Sequence, residues 1–128
     1  MIEQINYLEL QQYINELKNS GLVFCDKTLY YGNFEKSLRY GKRKMVGFTG
    51  IIIYKNKAIF KNHFIFKEYR GKGYFKQLFD FSIKLTKELG IKKVEATCTD
   101  MSINHYLKNG FKVIKEFKKY KKVCNENI

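Results

Sequence analysis

Proline is absent from this 128-residue sequence, and there is no repeat, low-complexity segment or linker, as fits one continuous domain. Cysteine is scarce: Cys25, Cys98 and Cys124 are odd in number and widely spaced. That argues against a disulfide framework and for a reducing compartment. The only histidines are His63 and His105, and no CxxC pair accompanies them, so a structural zinc site is not expected. No apolar run approaches the roughly 20 residues of a membrane-spanning helix. The opening MIEQINYLEL lacks the basic-then-apolar layout of a signal peptide. A cytoplasmic protein with no membrane partner is the expectation.

Acidic residues are outnumbered, 12 against 25 Lys+Arg, for a formal charge of +13. Such a field attracts nucleic acid, phosphorylated cofactors or other anions. Arginine, the usual residue for bidentate phosphate and base recognition, is nearly missing: only Arg39, Arg43 and Arg70 occur. A lysine-, asparagine- and isoleucine-rich composition is also what a coding bias gives, so the charge reads equally as a partner signal or a solubility background. The length fits one domain, residues 1–128, and a 45% hydrophobic content supplies a core.

Leu10, Tyr13, Ile14 and Leu17 recur at helical spacing and predict a helix over 7–18, stopped by Asn19-Ser20-Gly21. Residues 22–25 read as a short strand, 34–40 as a second short helix with Phe34 and Leu38 on one side, and 41–44 as a basic loop. Strands follow at 45–54 and 57–66, joined by a Lys55-Asn56 turn. In the second, Ala58, Phe60, Phe64 and Phe66 are expected on one face. A two-glycine loop precedes a helix at 74–89, whose buried stripe is Phe75, Leu78, Phe79, Ser82, Leu85 and Leu89. A strand at 91–98, a helix at 101–108 capped by Thr99 or Asp100, and a hairpin over 111–123 complete the order. This is a mixed α/β domain with one central βαβ unit and flanking helices.

The loop Arg70-Gly71-Lys72-Gly73 between strand and helix has the layout of a phosphate cradle. Free N–H groups and the helix dipole favour an anion there, and glycine permits close backbone approach. It is neither a Walker A loop nor a Rossmann GxGxxG; by itself an ordinary strand-to-helix turn explains it equally well. One strand and one helix later, Tyr106-Leu107-Lys108-Asn109-Gly110-Phe111 ends a helix and enters a strand. The two motifs in this order resemble the GNAT N-acetyltransferase superfamily. Arg70 and Gly73 match its Arg/Gln-x-x-Gly-x-Gly/Ala loop, and Tyr106, Gly110 and Phe111 match its Tyr-x-x-x-Gly-Phe. Phe75 departs from the final Gly/Ala, and Ser102 stands where alanine is usual. The resemblance spans about 46–123; residues 1–44 match only in layout, as the family's two opening helices.

The resemblance implies acetyl transfer from acetyl-CoA (coenzyme A) to an amine. Amides of Gly71, Lys72, Gly73, Tyr74 and Phe75, with Arg70, would hold the pyrophosphate. The backbone of the strand through Phe64, Ile65 and Phe66 would align the pantetheine, and a splay from the strand at 91–98 would admit the acyl group. A lysine-type amine of pKa about 10.4 is neutral in only about one molecule in 2,500 at pH 7, a cost near 4.6 kcal/mol, so a base or a desolvating site must help. Tyr106 resembles the family's thiolate-protonating tyrosine; its bland role is packing. His63 is the candidate base, against the plainer reading of a structural histidine. Glu68, Glu95 and Asp100 are weaker base candidates, and Cys98 a weak nucleophile candidate beside a packing role.

Two basic clusters, Lys36/Arg39/Lys42/Arg43/Lys44 and Lys112/Lys115/Lys118/Lys119/Lys121/Lys122, interleave with Tyr30, Tyr31, Tyr40 and Tyr120. The resemblance puts both around the acceptor. They suit a nucleic-acid backbone with stacked bases, or are simply solvated faces. The acceptor is therefore an amine of open class, with nucleic acid among the candidates. Two alternatives stand beside acetyl transfer: a base-modifying enzyme similar to the Mom-type DNA-modification proteins, and a non-catalytic basic binding module, which Phe75 favours. A homodimer is compatible with all of them.

Overall fold

A computed structural model describes residues 1–11, 28–36 and 43–128. The elements are β1 (Ile2–Ile5), α1 (Tyr7–Gln11), β2 (Leu29–Lys36), β3 (Arg43–Tyr54), β4 (Lys57–Ile65), a 3-10 turn (Lys67–Tyr69), α2 (Tyr74–Glu88), β5 (Lys93–Cys98), α3 (Ile103–Lys108), β6 (Lys112–Glu116) and β7 (Lys121–Asn125). One seven-stranded sheet runs β1-β2-β3-β4-β5-β7-β6. Only the β4–β5 pair, bridged by α2, is parallel; the other described pairs are antiparallel. This is the mixed sheet with a central βαβ unit that the sequence predicts. No helix among the described residues is long and apolar enough to cross a membrane.

The apolar pattern sorts onto the two sheet faces. Ile51, Ala58, Phe60, Val94, Ala96 and Val123 meet Phe79 of α2 and Tyr106 of α3 on one side. Ile5, Leu10, Tyr30, Phe34, Met45, Phe48 and Phe66 form the core on the other. In α2 the stripe holds at Leu78, Phe79 and Ser82, while Phe75 and Leu85 are partly buried. Leu89 falls at the helix end and is exposed, and Thr86 takes the last buried position.

Four expectations need correction. Phe34 does not open a helix: it lies in β2, opposite Met45, its ring buried beneath the Arg43 guanidinium. Two apolar residues four apart were a thin helical signal, and the ladder to β3 outweighs it. The loop expected at 41–44 is already strand at Arg43 and Lys44. Neither Thr99 nor Asp100 caps α3 with its side chain; the N-cap is Ser102, without a side-chain hydrogen bond. Residues 12–18 of the first predicted helix, the strand at 22–25, its Cys25 and residues 37–42 lie outside the described residues.

The fourth correction shapes the site. Between the pairs Phe48–Phe64 and Gly50–Lys61 the register of β4 slips by one, so positions 62 and 63 face Thr49 alone. This is a β-bulge, and it reverses which face each later side chain takes. Ala58 and Phe60 therefore point to the α2 side, whereas Phe64 and Phe66 pack with the opposite core. Gly47 sits just past the bulge. A Cβ there would stand 2.6 Å from the Phe64 carbonyl oxygen and 2.5 Å from Ile65 Cδ1. Backbone cannot swing aside as a side chain can, so Gly47→Ala should destabilise the fold by about 1–3 kcal/mol, read as a lower urea midpoint at unchanged slope.

Candidate active site

β4 and β5 pair only from Lys57–Lys93 to Phe60–Ala96. Beyond that the strands separate, and the β4 edge that faces β5 over residues 61–65 has no ladder partner among the described residues. The chain then turns through Lys67–Tyr69 into Gly71 and Gly73, at φ of 77° and 86°. A Cβ on either glycine would meet nothing within 4 Å, so glycine is needed there for its left-handed backbone and not for lack of room. Gly73 is the N-cap of α2, with no side-chain cap and no acidic residue in the first turn. Gln77 N–H donates to the Gly73 carbonyl at 3.2 Å, leaving the Tyr74, Phe75 and Lys76 amides ahead of the regular helical bonds. The splay, the uncapped helix start and the open loop adjoin one another.

Arg70 braces this corner. Its Nε donates to the Ile65 carbonyl at 2.9 Å, and its guanidinium lies 5.3 Å from the Phe64 ring centre. Lys72 is exposed, its Nζ 5.6 Å over the Tyr69 ring, and Tyr69 meets Tyr74 edge-on. The Tyr74 hydroxyl donates to Glu35 Oε2 at 2.5 Å, tying the start of α2 to β2. The Phe66 N–H is already taken by the Val46 carbonyl at 3.0 Å, so of Phe64, Ile65 and Phe66 the last has no amide left to offer.

Because of the bulge, His63 points to the same side as Phe60, three residues earlier. Its ring lies against Phe60, Phe75 and Phe79. Thr49 Oγ1 is within 2.9 Å of Nε2 and 3.1 Å of Nδ1, and Ser82 Oγ is 3.3 Å from Nε2. Burial, with the nearby His105, lowers its pKa to about 3. The ring is therefore neutral but weakly basic. Drawing a proton from an ammonium of pKa about 10.4 would be steeply uphill, which runs against the base role. His105 meets Phe75 and Phe79 edge-on, and its Nε2 is buried without a hydrogen-bond partner among the described residues. Phe75 thus turns its ring inward between the two histidines, packed against the core.

Tyr106 is 2% exposed and packs edge-on against Phe79 and Phe111. Burial raises its phenol pKa, and the neighbouring Cys98 adds to this. Phe79 stands between Tyr106 and His63, touching both. Cys98 is buried, and that burial raises its thiol pKa despite Lys121; it is a packed thiol and not an activated one. Glu95 faces away from Tyr106. Burial alone would raise its pKa, but a hydrogen bond from Lys57 and the charge of Lys122 hold it lowered. Glu68 and Asp100 are exposed.

The model of the acetyltransferase (GNAT) family matches residues 7–111. The chain belongs to the GNAT acetyltransferase family. No curated protein matches it in sequence. Solved structures share its fold at low identity. A domain from Methanocaldococcus jannaschii superposes with a TM-score of 0.75 at 16% identity, over 100% of this chain and 97% of that one. The ribosomal-protein-S18-alanine N-acetyltransferase of Escherichia coli gives 0.72 at 12%, over 100% and 94%. The PaiA N-acetyltransferase of Thermoplasma acidophilum, solved with coenzyme A, gives 0.67 at 22%, over 95% and 80%. As a GNAT member the chain is an N-acetyltransferase, not a non-catalytic module, and its inward-turned Phe75 leaves the loop in front of α2 open.

The residues that sequence reasoning missed are Thr49 and Ser82, the hydroxyls holding His63, and His105. The bulge that assembles them leaves no compositional mark. The one available signal was Ser82, a polar residue on an otherwise apolar helical stripe.

Proposed function

We propose that this chain moves an acetyl group from acetyl-CoA to a primary amine, with the amine entering the splay between β4 and β5. The observation that carries the reading is that splay, which opens directly beside the uncapped start of α2. Backbone amides of Gly71 to Phe75, with Arg70 and Lys72 at the rim, suit a pyrophosphate. The β4 edge beyond the Phe60–Ala96 pair, which has no ladder partner among the described residues, suits the amide groups of a pantetheine arm, with the Ile65 carbonyl there already held by Arg70. Acetyl-CoA would bring an acyl group activated as a thioester.

Tyr106 would hold the proton that a leaving thiolate requires. Its raised pKa keeps it protonated at neutral pH, and the same dry surroundings raise Cys98. A thiolate expelled there would gain basicity too, so donor and acceptor stay matched. With His63 weakly basic and Glu95 turned away, we assign no side-chain base. The net charge of +13 lowers the pKa of a bound ammonium, and the apolar walls lower it further. The same field favours an acceptor carried on an acidic molecule. A cytoplasmic location completes the proposal: Cys98 and Cys124 are free and buried thiols.

Titration calorimetry of acetyl-CoA tests it. Binding in the micromolar range is expected, weakened at least tenfold by Gly73→Glu, which sets a carboxylate and a strained left-handed backbone in the cradle. No binding at about 1 mM would sink the proposal.

A further inference from the structure

The sheet face away from α2 and α3 carries a second constellation, remote from the cradle. Ala58, Val94, Ala96 and Val123 point into the α2 core, so their strand neighbours point the other way. Register then places Lys57 opposite Lys93, Lys112 opposite Cys124, and Lys115 opposite Lys122, all on that one face. The carboxylates among them are Glu95 and Glu126. Glu95 is 7% exposed and draws in Lys57, Lys122 and Lys93 at 3.3, 3.4 and 3.7 Å. One buried carboxylate thus gathers three ammonium groups and leaves an excess of positive charge.

Lys115 and Lys122 are like charges directly opposite, an arrangement that costs stability in a sheet. Lys122 relieves it by leaning to Glu95, and Lys115 by lying 5.0 Å over the Phe117 ring. Phe117 and Tyr120 close the β6–β7 turn, with Phe117 N–H donating to the Tyr120 carbonyl at 2.9 Å. Their rings are tilted together at 4.7 Å, yet remain 38% and 44% exposed. Lys118 and Lys119 form the exposed apex between them. Four strands at about 4.8 Å spacing make this basic row roughly 15 Å long, with an aromatic pair at one end.

We propose that this face docks single-stranded nucleic acid, phosphates along the lysine row and a base stacked on Phe117 and Tyr120. The charge complements any polyanion; the exposed aromatic pair selects one with flat bases. An acidic peptide would gain nothing from those rings. The lysines supply charge without the arginine fork that reads base edges, so binding is indifferent to sequence. The proposal stands apart from acetyl transfer, because none of these residues belongs to the cradle.

Fluorescence anisotropy with short labelled oligo(dT) and oligo(U), with and without acetyl-CoA, tests it in the full chain. Affinity should fall at least tenfold between about 50 and 200 mM salt. Phe117→Leu with Tyr120→Leu, which keeps apolar bulk in the turn, should weaken binding roughly tenfold at an unchanged salt slope. Lys112→Gln with Lys115→Gln, on the exposed edge strand, should weaken it and reduce the salt slope by about 1.4, the share of two single-strand phosphate contacts. Lys84→Gln with Lys87→Gln, on α2, should change it little. Three results would each overturn the proposal: no binding at low salt, equal losses from the α2 pair, or poly-glutamate binding as tightly with no effect of the aromatic variant. Oligo(U) and oligo(dT) separate RNA from DNA, and either supports the surface.

Discussion

Tyr106→Phe is expected to lower the turnover number about 100- to 10,000-fold, the usual loss when a positioned general acid is removed. Phenylalanine keeps the ring that packs edge-on against Phe79 and Phe111, so the core should be undisturbed. The phenol makes no hydrogen bond to the described residues, so its deletion breaks none and should leave stability nearly level. Acetyl-CoA affinity should stay within about threefold, since the cradle lies on another loop. A purely structural tyrosine would show little change in turnover in this variant. The measurement is thiol release under saturating acetyl-CoA, with an amine found by screening polyamines and lysine peptides, beside a thermal melt. Turnover within about fivefold of the parent at equal melting temperature would remove Tyr106 from the chemistry. Because the phenol pKa is raised, the parent should show no loss of activity from phenol ionisation until well into the alkaline range.

Much of this site could be read from local pattern. The two strands around Lys55-Asn56, the glycines before α2, and Tyr106 followed by Gly110-Phe111 are all signals within ten or so residues. Each is set by local backbone needs: a turn, two left-handed positions, a helix stop. The sequence reading failed where a side chain's direction depends on a distant partner. Strict alternation along β4 put Phe60 and Phe64 on one face, but the bulge opposite Thr49 divides them between two cores. Tyr30, grouped with the basic residues by proximity in sequence, is 3% exposed and belongs to a core. Arg43 of the same group is committed to Glu3 and Glu9. Glu95, a weak base candidate in the sequence, is claimed by Lys57 and Lys122 of the neighbouring strands, the first of them 38 residues away in the chain, and by Lys93 of its own strand. Ladder register decides each of these, and no window of one strand contains it.

The same bulge makes the fold sensitive to acid. His63 has a pKa near 3 in the folded chain and about 6.5 when unfolded. Between those values the unfolded chain binds a proton at this ring that the folded chain does not, so stability rises with pH and drops on acidification. The slope should approach 1.4 kcal/mol per pH unit, and over the full window the loss is roughly 4–5 kcal/mol, comparable with the whole stability of a small domain. Carboxylates act elsewhere: Glu95 is lowered from 4.5, so its contribution is lost only below that value. The interval from pH 6.5 to 5 therefore reports on histidine. His63→Gln keeps an amide that can reach Thr49 and Ser82 but cannot titrate, and should flatten urea-derived stability across that interval. His105→Gln should flatten it less, because Asp80 opposes the burial that lowers His105. Equal slopes for the parent and His63→Gln would mean that the ring titrates normally and is open to water. A confirmed slope has a catalytic corollary: a ring that stays neutral down to about pH 4 contributes no limb to the rate profile near neutrality. The pH dependence of acetyl transfer would then follow the acceptor amine, rising with its neutral fraction.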